Sequence, residues 1–236
     1  VYVRKIADAL GASARVGCAV RSVQRVEGAV DVTDESGETR RFDRVVMATH
    51  ADQSLKMLAQ PTRDERELLG VFRPAPNEAV LHTDVRAMPR RRAAWSSWNY
   101  MAARSEEGRR LSVTYWMNRL QHIPNRPPVF VSLNPVCEID EACVLRRVRY
   151  EHPLFSQATL AAQEKLWSLQ GVGGIWHCGA WFGYGFHEDG LQSGLAVAED
   201  IGGVARPWNV AGMNDRLPRD RRQTVGAIPA LTSAAT

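Results

Sequence analysis

The stretch from Trp176 to Gly194 constrains the fold of this chain more than any other. It reads WHCGAWFGYGFHEDGLQSG, which predicts a short strand over Ile175 to Ala180, a glycine-rich loop, and a helix from Leu191 to Ile201. Small residues in the first two helical turns allow another surface to approach closely, and the N-terminal N–H groups of the helix favour an electron-rich partner. The pattern therefore indicates that a planar or anionic group lies against this helix end. The alternative is a glycine-rich turn that serves only for packing.

The first fifty residues predict a helix followed by a small β-meander. Val1 to Leu10 has the spacing of an amphipathic helix. Three β-rich runs separated by tight-turn dipeptides follow, at Ala19 to Val26, Ala29 to Thr33 and Glu38 to Phe42. The apolar run from Arg44 to Thr49 is typical of a strand whose two faces are covered, so we expect a central parallel strand there.

The middle of the chain predicts a separate lobe. Four β-rich runs indicate an antiparallel sheet, at Ala79 to Asp84, Ala93 to Met101, Leu111 to Met117 and Val129 to Leu133. A capping box at Thr62 to Glu65 predicts a helix before them, and Thr159 to Leu169 a helix after them. We therefore predict a mixed α/β (α+β) fold, in which residues 1–60 and 171–206 form one domain and residues 61–170 an inserted antiparallel-sheet domain. Residues 207–236 lack periodicity and are predicted to be disordered.

Composition excludes several classes of protein. The net charge of +4 comes from scattered arginine clusters without interleaved aromatic residues, which argues against a nucleic-acid partner. The four cysteines have no CxxC spacing and no histidines at zinc-ligand spacing, so we expect neither a metal site nor disulfides. No apolar run reaches the roughly 18 to 20 residues of a membrane-spanning helix. We expect a soluble, cytoplasmic protein, for which peripheral contact with anionic lipid stays open.

Two groups of side chains are candidates for a functional site. His187, Glu188 and Asp189 form an acid and base set, although Asp189 and Glu188 are equally residues that favour a helix start. Large aromatic residues fall on the predicted sheet, and such residues are usually core: Trp95, Trp98, Tyr100, Tyr115 and Trp116. If some of them face a cavity, the substrate is bulky and apolar.

Several motifs carry a resemblance to a known superfamily. The pattern Cys178-Gly179-Ala180 followed by Gly185-x-x-Glu188-x-Gly190-x-x-Ser193-Gly194 resembles the C-terminal flavin motif of the flavin amine oxidase, protoporphyrinogen oxidase and phytoene desaturase superfamily. Four further stretches resemble a bacterial subgroup of NAD/FAD-binding, amine-oxidase-like proteins, namely residues 48–53, 79–84, 115–118 and 183–190. The likeness extends from Val1 to about Trp208.

The resemblance implies FAD as the cofactor and assigns residues to it. In such a domain Val20 lies beside the adenine, Ala48 and Thr49 lie near the phosphates and the ring, and Gly179 and Ala180 lie near the ribityl chain. Backbone amides of Gly190 and Leu191 point at the pyrimidine edge of the flavin, and the turn residues Gly183, Gly185, Glu188 and Asp189 complete the set. Ala180 stands where the superfamily usually has an acidic residue, and taken alone Val20 is an ordinary strand residue. His187 is the candidate catalytic residue.

The resemblance also implies a function and a missing part. Members of the superfamily open with a strand, a G-x-G-x-x-G turn and a helix that hold the pyrophosphate, and this sequence contains no such motif. We therefore expect a C-terminal fragment of an FAD-dependent oxidoreductase, whose FAD-binding domain is residues 1–60 with 171–206 and whose substrate domain is residues 61–170. The implied reaction is hydride transfer from a C–H bond of a small-molecule substrate to the flavin, and a lipid-like substrate stays open. Two alternatives stay open: a non-enzymatic lipid- or isoprenoid-binding module, and a truncated chain without activity of its own.

Overall fold

The helix expected at the start of the chain is present as α1, Tyr2–Leu10. In the computed structural model, residues 2–105, 108–124, 127–208, 210–212, 215 and 217 are described. They divide into a first compact unit, residues 1–73 with 153–236, and a second one, residues 74–152. The predicted disorder of residues 207–236 falls almost wholly outside the described part of the chain.

A β-meander and a short parallel pair form the sheets of the first unit. Strands β1 (Val20–Val26), β2 (Ala29–Asp34) and β3 (Thr39–Phe42) pair antiparallel in sequence order, as predicted. Strand β4 (Val45–Met47) pairs in parallel with β10 (Ile175–His177). The prediction of a parallel strand is confirmed, but its predicted central position is wrong for the described residues, where β4 has a strand on one side only. Its middle residue, Val46, is 44% exposed.

Three helices pack beneath these strands. Helix α2 spans Ala51–Met57, α3 spans Arg63–Leu69 and α5 spans Gln157–Gln163. The predicted capping box at the start of α3 is present, because Thr62 and Glu65 each accept a hydrogen bond from the other's backbone N–H. The predicted helix Thr159 to Leu169 is instead divided into α5 and a separate 3-10 turn, Leu166–Leu169.

The hydrophobic core decides where the first unit ends. Leu68 and Leu69 of α3 lie in one buried cluster with Ala162 of α5, with Leu166, and with Val23 of β1. The sequence placed residues 61–170 in the inserted domain, whereas the structure assigns 61–73 and 153–170 to the first unit. The reason is that the apolar sides of these helices are covered by the meander core, which the capping and periodicity signals of each helix do not reveal.

The second unit is a five-stranded sheet with the order β6-β7-β8-β5-β9. Its strands are β5 (Pro74–His82), β6 (Trp98–Ser105), β7 (Gly108–Trp116), β8 (Phe130–Leu133) and β9 (Val144–Pro153), with the short helix α4 (Met117–Leu120) after β7. The pairs β5–β8, β6–β7 and β7–β8 are antiparallel. The antiparallel sheet predicted for this lobe is thus confirmed.

The last regular element is α6, His187–Gly202. It begins four residues before the predicted start at Leu191, because the side chain of Asp189 accepts the backbone N–H of Phe186 and so stabilises an earlier first turn. Its C-terminus is closed by Gly203 in the left-handed conformation, with φ of 64°. Among the described residues, no helix has both the length and the apolar character needed to cross a membrane.

Candidate functional site

An apolar cavity of about 580 Å³ lies beside β1 and β4 in the first unit. Three residues that the sequence assigned to one site, Val20, Ala48 and Thr49, line it together, and Val46 and Met57 complete its apolar wall. Ligand sites are typically concave, mostly apolar and of about this size. The structure therefore brings residues from separate parts of the sequence to one concave surface.

The turn after β4 is fixed by two hydrogen bonds. The hydroxyl oxygens of Thr49 and the buried Ser54 lie 2.8 Å apart, which holds the turn against the first residues of α2. The indole N–H of Trp181 donates to the Thr49 carbonyl oxygen at 3.1 Å. This bond joins the β4 turn to the turn that follows β10, so the two turns form one continuous surface. His50 adjoins this turn with an exposed side chain.

Gly179 has a conformation that the site requires. Its φ is +152°, and a Cβ atom at this position would lie 2.5 Å from the indole nitrogen of Trp181. The Ser193 hydroxyl accepts the Gly179 N–H at 3.0 Å, and it lies 3.1 Å from the Gly179 carbonyl oxygen and 3.0 Å from that of Gly190. These contacts bind the end of β10 to the first turns of α6. Gly179 and Gly190, both predicted site residues, are thereby brought together next to Ala180.

The Asp189 carboxylate is buried and accepts hydrogen bonds from the loop that precedes α6. The side chain is fully buried, and one carboxylate oxygen accepts the N–H groups of Tyr184 at 3.0 Å and Phe186 at 2.8 Å. A Cβ atom on Gly183 would approach the other carboxylate oxygen to 2.4 Å, so the loop closes directly over this carboxylate. The helix-start interpretation that the sequence left open accounts for these contacts, while a role in cofactor binding stays a prediction.

The N-terminal residues of α6 differ in their backbone hydrogen bonds and in the exposure of their side chains. Gly190 donates its N–H to the Phe186 carbonyl oxygen at 3.3 Å, and Leu191 lies one residue further into the helix with a side chain that is 56% exposed. A helix leaves its first backbone N–H groups without intrahelical partners. At the N-terminal end of α6 these are the N–H groups of His187 and Glu188. Both side chains are exposed, and Glu188 accepts from the Gln192 side chain at 3.1 Å.

Two residues of this site were missed from the sequence. Trp181 is 1% exposed and packs against Phe72 and Phe182 at ring-centroid distances of 5.2 and 4.4 Å. The other is Ser193, which was visible in the motif but was not assigned a role. A serine one helical turn after Gly190 was the available signal, whereas nothing in the sequence pairs Trp181 with Thr49.

Burial makes other potentially nucleophilic side chains inaccessible to a substrate. Burial raises the pKa of the Cys178 thiol, which disfavours a nucleophilic thiolate. In the second unit His82, Ser132 and Thr114 form a hydrogen-bonded row with separations of 2.8 and 2.7 Å. All three are fully buried, so this row is not a nucleophile open to a substrate. No group of three or more metal-ligating side chains occurs within the residues that the structure describes.

Comparisons with known proteins agree on the fold. The family model described as flavin containing amine oxidoreductase matches residues 2–128, and no curated protein matches. A structure of reduced UDP-galactopyranose mutase aligns with a TM-score of 0.58 at 12% identity, over 90% of this chain and 53% of the other. Wild-type putrescine oxidase bound to putrescine aligns with a TM-score of 0.55 at 12% identity, over 85% and 52%. The chain thus spans about half the length of these solved structures, and at this identity the likeness confirms the predicted fold class.

Proposed function

The chain belongs to the family of flavin-containing amine oxidoreductases, and we propose on that premise that it supplies part of the FAD site and the substrate domain of an enzyme that transfers hydride from a substrate C–H bond to FAD. The observation that carries the proposal is the Trp181–Thr49 hydrogen bond, because it joins the apolar cavity to the glycine turn before α6. A flavin dinucleotide is long and needs such a continuous surface.

The residues present fit the two ends of a flavin dinucleotide. Val20 and the apolar wall of the cavity suit a flat heterocycle, and the Ala48–Thr49 turn leads from it toward Gly179. The free amides at the start of α6 suit a ring that becomes negatively charged on reduction. When bound, the flavin accepts the hydride and passes its electrons to an acceptor. The protein's residues bind it, orient it and exclude water.

The open edge of β4 supports the need for a further segment. Parallel strands are normally covered on both faces and paired on both sides, yet β4 has one strand neighbour among the described residues and Val46 is 44% exposed. We propose that a strand, glycine turn and helix pair at this edge and supply the amides that hold the pyrophosphate.

The second unit supports a bulky, apolar substrate. Trp98 and Tyr100, two positions apart, lie on the same face of β6 and are 54% and 76% exposed. Leu111 on the neighbouring strand β7 is 60% exposed. An exposed face with this many large apolar side chains is typical of a binding surface. Trp95, by contrast, belongs to the core and packs edge-on against Trp116 at 5.3 Å.

We expect the chain of 236 residues to bind FAD more weakly than micromolar, and a longer protein that carries the proposed segment before Val1 to purify with a yellow flavin chromophore. Titration of FAD fluorescence and visible absorbance measure the two results. Micromolar or tighter binding by the shorter chain would contradict the need for the segment. A colourless longer protein that takes up no FAD would contradict the enzyme proposal and favour the lipid-binding module.

His187 is the proposed catalytic residue, because it is exposed at the first position of α6. In the longer protein, we expect His187→Gln to slow flavin reduction about a hundredfold or more, the size of a general acid or base contribution. A panel of amines, including putrescine, and unsaturated lipids supplies the substrates for stopped-flow measurement. His152→Gln is the control, expected to change the rate less than about threefold because His152 is an exposed histidine of β9 that does not line the cavity. A His187→Gln rate within twofold of the wild type would show that the histidine only shapes the loop.

A further inference from the structure

A second cleft, of about 540 Å³, lies within the sheet of the second unit. We call it the arginine cleft, because Arg110 of β7 and Arg149 of β9 both line it. These strands are separated in the sheet by β8 and β5, so the cleft spans four strands. Its other lining residues include Asn77, Glu78 and Asn134.

The two asparagine side chains are held in place and present donors. The Asn134 side chain accepts a hydrogen bond from the Glu78 backbone N–H at 2.9 Å. It also donates to the side-chain oxygen of Asn77 at 2.6 Å. Asn77 in turn donates to the Ala75 carbonyl oxygen at 3.0 Å. A side-chain amide has two N–H groups, so each asparagine keeps a second donor beyond the bond described. Asn134 adopts a φ of 48°.

Two acceptors of the cleft already accept hydrogen bonds from arginine side chains. The Glu78 carboxylate accepts from Arg147 at 3.3 Å, and the Pro135 carbonyl oxygen accepts from Arg110 at 3.5 Å. The Arg149 side chain makes no hydrogen bond or ion pair within the part of the chain that the structure describes. A guanidinium carries five N–H donors and no acceptor. The lining therefore holds an excess of donors and positive charge.

We propose that the arginine cleft binds the oxyanion group of a small organic molecule, a carboxylate or a phosphate. Guanidinium groups recognise both oxyanions through paired, charge-assisted hydrogen bonds. The apolar part of the molecule packs against the walls formed by Pro76, Leu111 and Pro135. This site is separate from the proposed flavin site and does not depend on it, because all of its residues belong to the second unit.

The test is isothermal titration calorimetry of the whole chain at low ionic strength with four probes that share one alkyl tail. Hexanoate and hexyl phosphate carry the two oxyanions, and hexanol and hexylamine are neutral and cationic controls. We expect saturable binding of at least one anion and none of the controls, and the stronger of the two anions identifies the headgroup. Arg149→Gln is expected to weaken that binding about tenfold, as for the loss of one charge-assisted hydrogen bond.

Arg146→Gln is the matched control, because Arg146 is an exposed arginine on the same strand that does not line the cleft. It is expected to leave the affinity within about twofold, since only general charge is lost. Arg149→Lys keeps the charge without the paired donors and is expected to fall between wild type and Arg149→Gln. No saturable binding of either anion, equal binding of hexanol, or equal losses in the Arg146 and Arg149 variants would overturn the proposal.

Discussion

Replacement of Arg25 with methionine is expected to lower the free energy of unfolding by about 3 to 5 kcal/mol, the cost of leaving a buried charge without its partner. Arg25 Nη2 lies 2.5 Å from Glu65 Oε1, and Nη1 lies 3.3 Å from Oε2. Glu65 is 1% exposed, so its carboxylate depends mainly on protein groups for its hydrogen bonds. Urea denaturation followed by tryptophan fluorescence measures the change.

Two further variants make this result specific. Arg41→Met removes an ion pair with Asp31 in which the arginine is 66% exposed, and it is expected to cost less than about 1 kcal/mol. The double substitution of Arg25→Met with Glu65→Gln is expected to recover most of the loss. In the wild type the Thr62 N–H donates to Glu65 Oε2 at 2.7 Å, and the neutral amide of a glutamine can still accept this hydrogen bond. Equal losses for Arg25→Met and Arg41→Met would show that Glu65 does not depend on its partner.

The same pair gives the protein an acid-sensitive stability. Burial by itself raises the pKa of Glu65, but its contacts with His177 and Arg25 and the Thr62 N–H outweigh burial and lower the pKa from 4.5 to about 2. A folded-state pKa below the unfolded one stabilises the fold above pH 4.5, and this contribution is lost as the pH falls toward 2. It amounts to about 3 kcal/mol. In Arg25→Met the folded-state pKa of Glu65 lies closer to 4.5, so the loss of stability is expected to be smaller and to end at a higher pH than in the wild type, which urea denaturation between pH 3 and 7 would reveal.

Glu65 also shows what the sequence can and cannot predict. The capping box with Thr62 is a local pattern, and the sequence predicted it correctly. The contact with Arg25 joins residues 40 positions apart, and His177 comes from β10, with a ring nitrogen 3.6 Å from the carboxylate. Nothing in the spacing of these residues indicates that they meet, because the meeting is set by how β1, α3 and β10 pack.

In the candidate site, too, the local patterns were predicted and the contacts between distant residues were not. The β4 run predicted a parallel strand, and the glycine pattern after β10 predicted a turn into a helix, since both depend on neighbouring residues. The bond from Trp181 to Thr49 was missed because 132 positions separate the partners. The start of α6 was predicted too late, at Leu191, whereas the buried contacts of Asp189 extend the helix to His187.

Gly183→Ala is expected to lower the free energy of unfolding by about 2 to 3 kcal/mol, as when an overfilled core forces buried groups to move. The new methyl group would lie 2.4 Å from a carboxylate oxygen of Asp189 and 2.6 Å from its Cγ. Asp189 cannot withdraw cheaply, because it is fully buried and accepts two backbone N–H groups. In the longer protein, FAD affinity is expected to fall as well, since the same carboxylate fixes the first turn of α6.

The matched control for this substitution is Gly194→Ala, on the same helix. A Cβ atom there meets no atom within 4 Å, and alanine in a helix interior is favoured over glycine by roughly 0.5 to 1 kcal/mol. Gly194→Ala is therefore expected to be neutral or stabilising in the same urea denaturation. If the two variants unfold at the same urea concentration, the Asp189 carboxylate does not hold the loop closed, and the start of α6 is fixed by the Ser193 contacts alone.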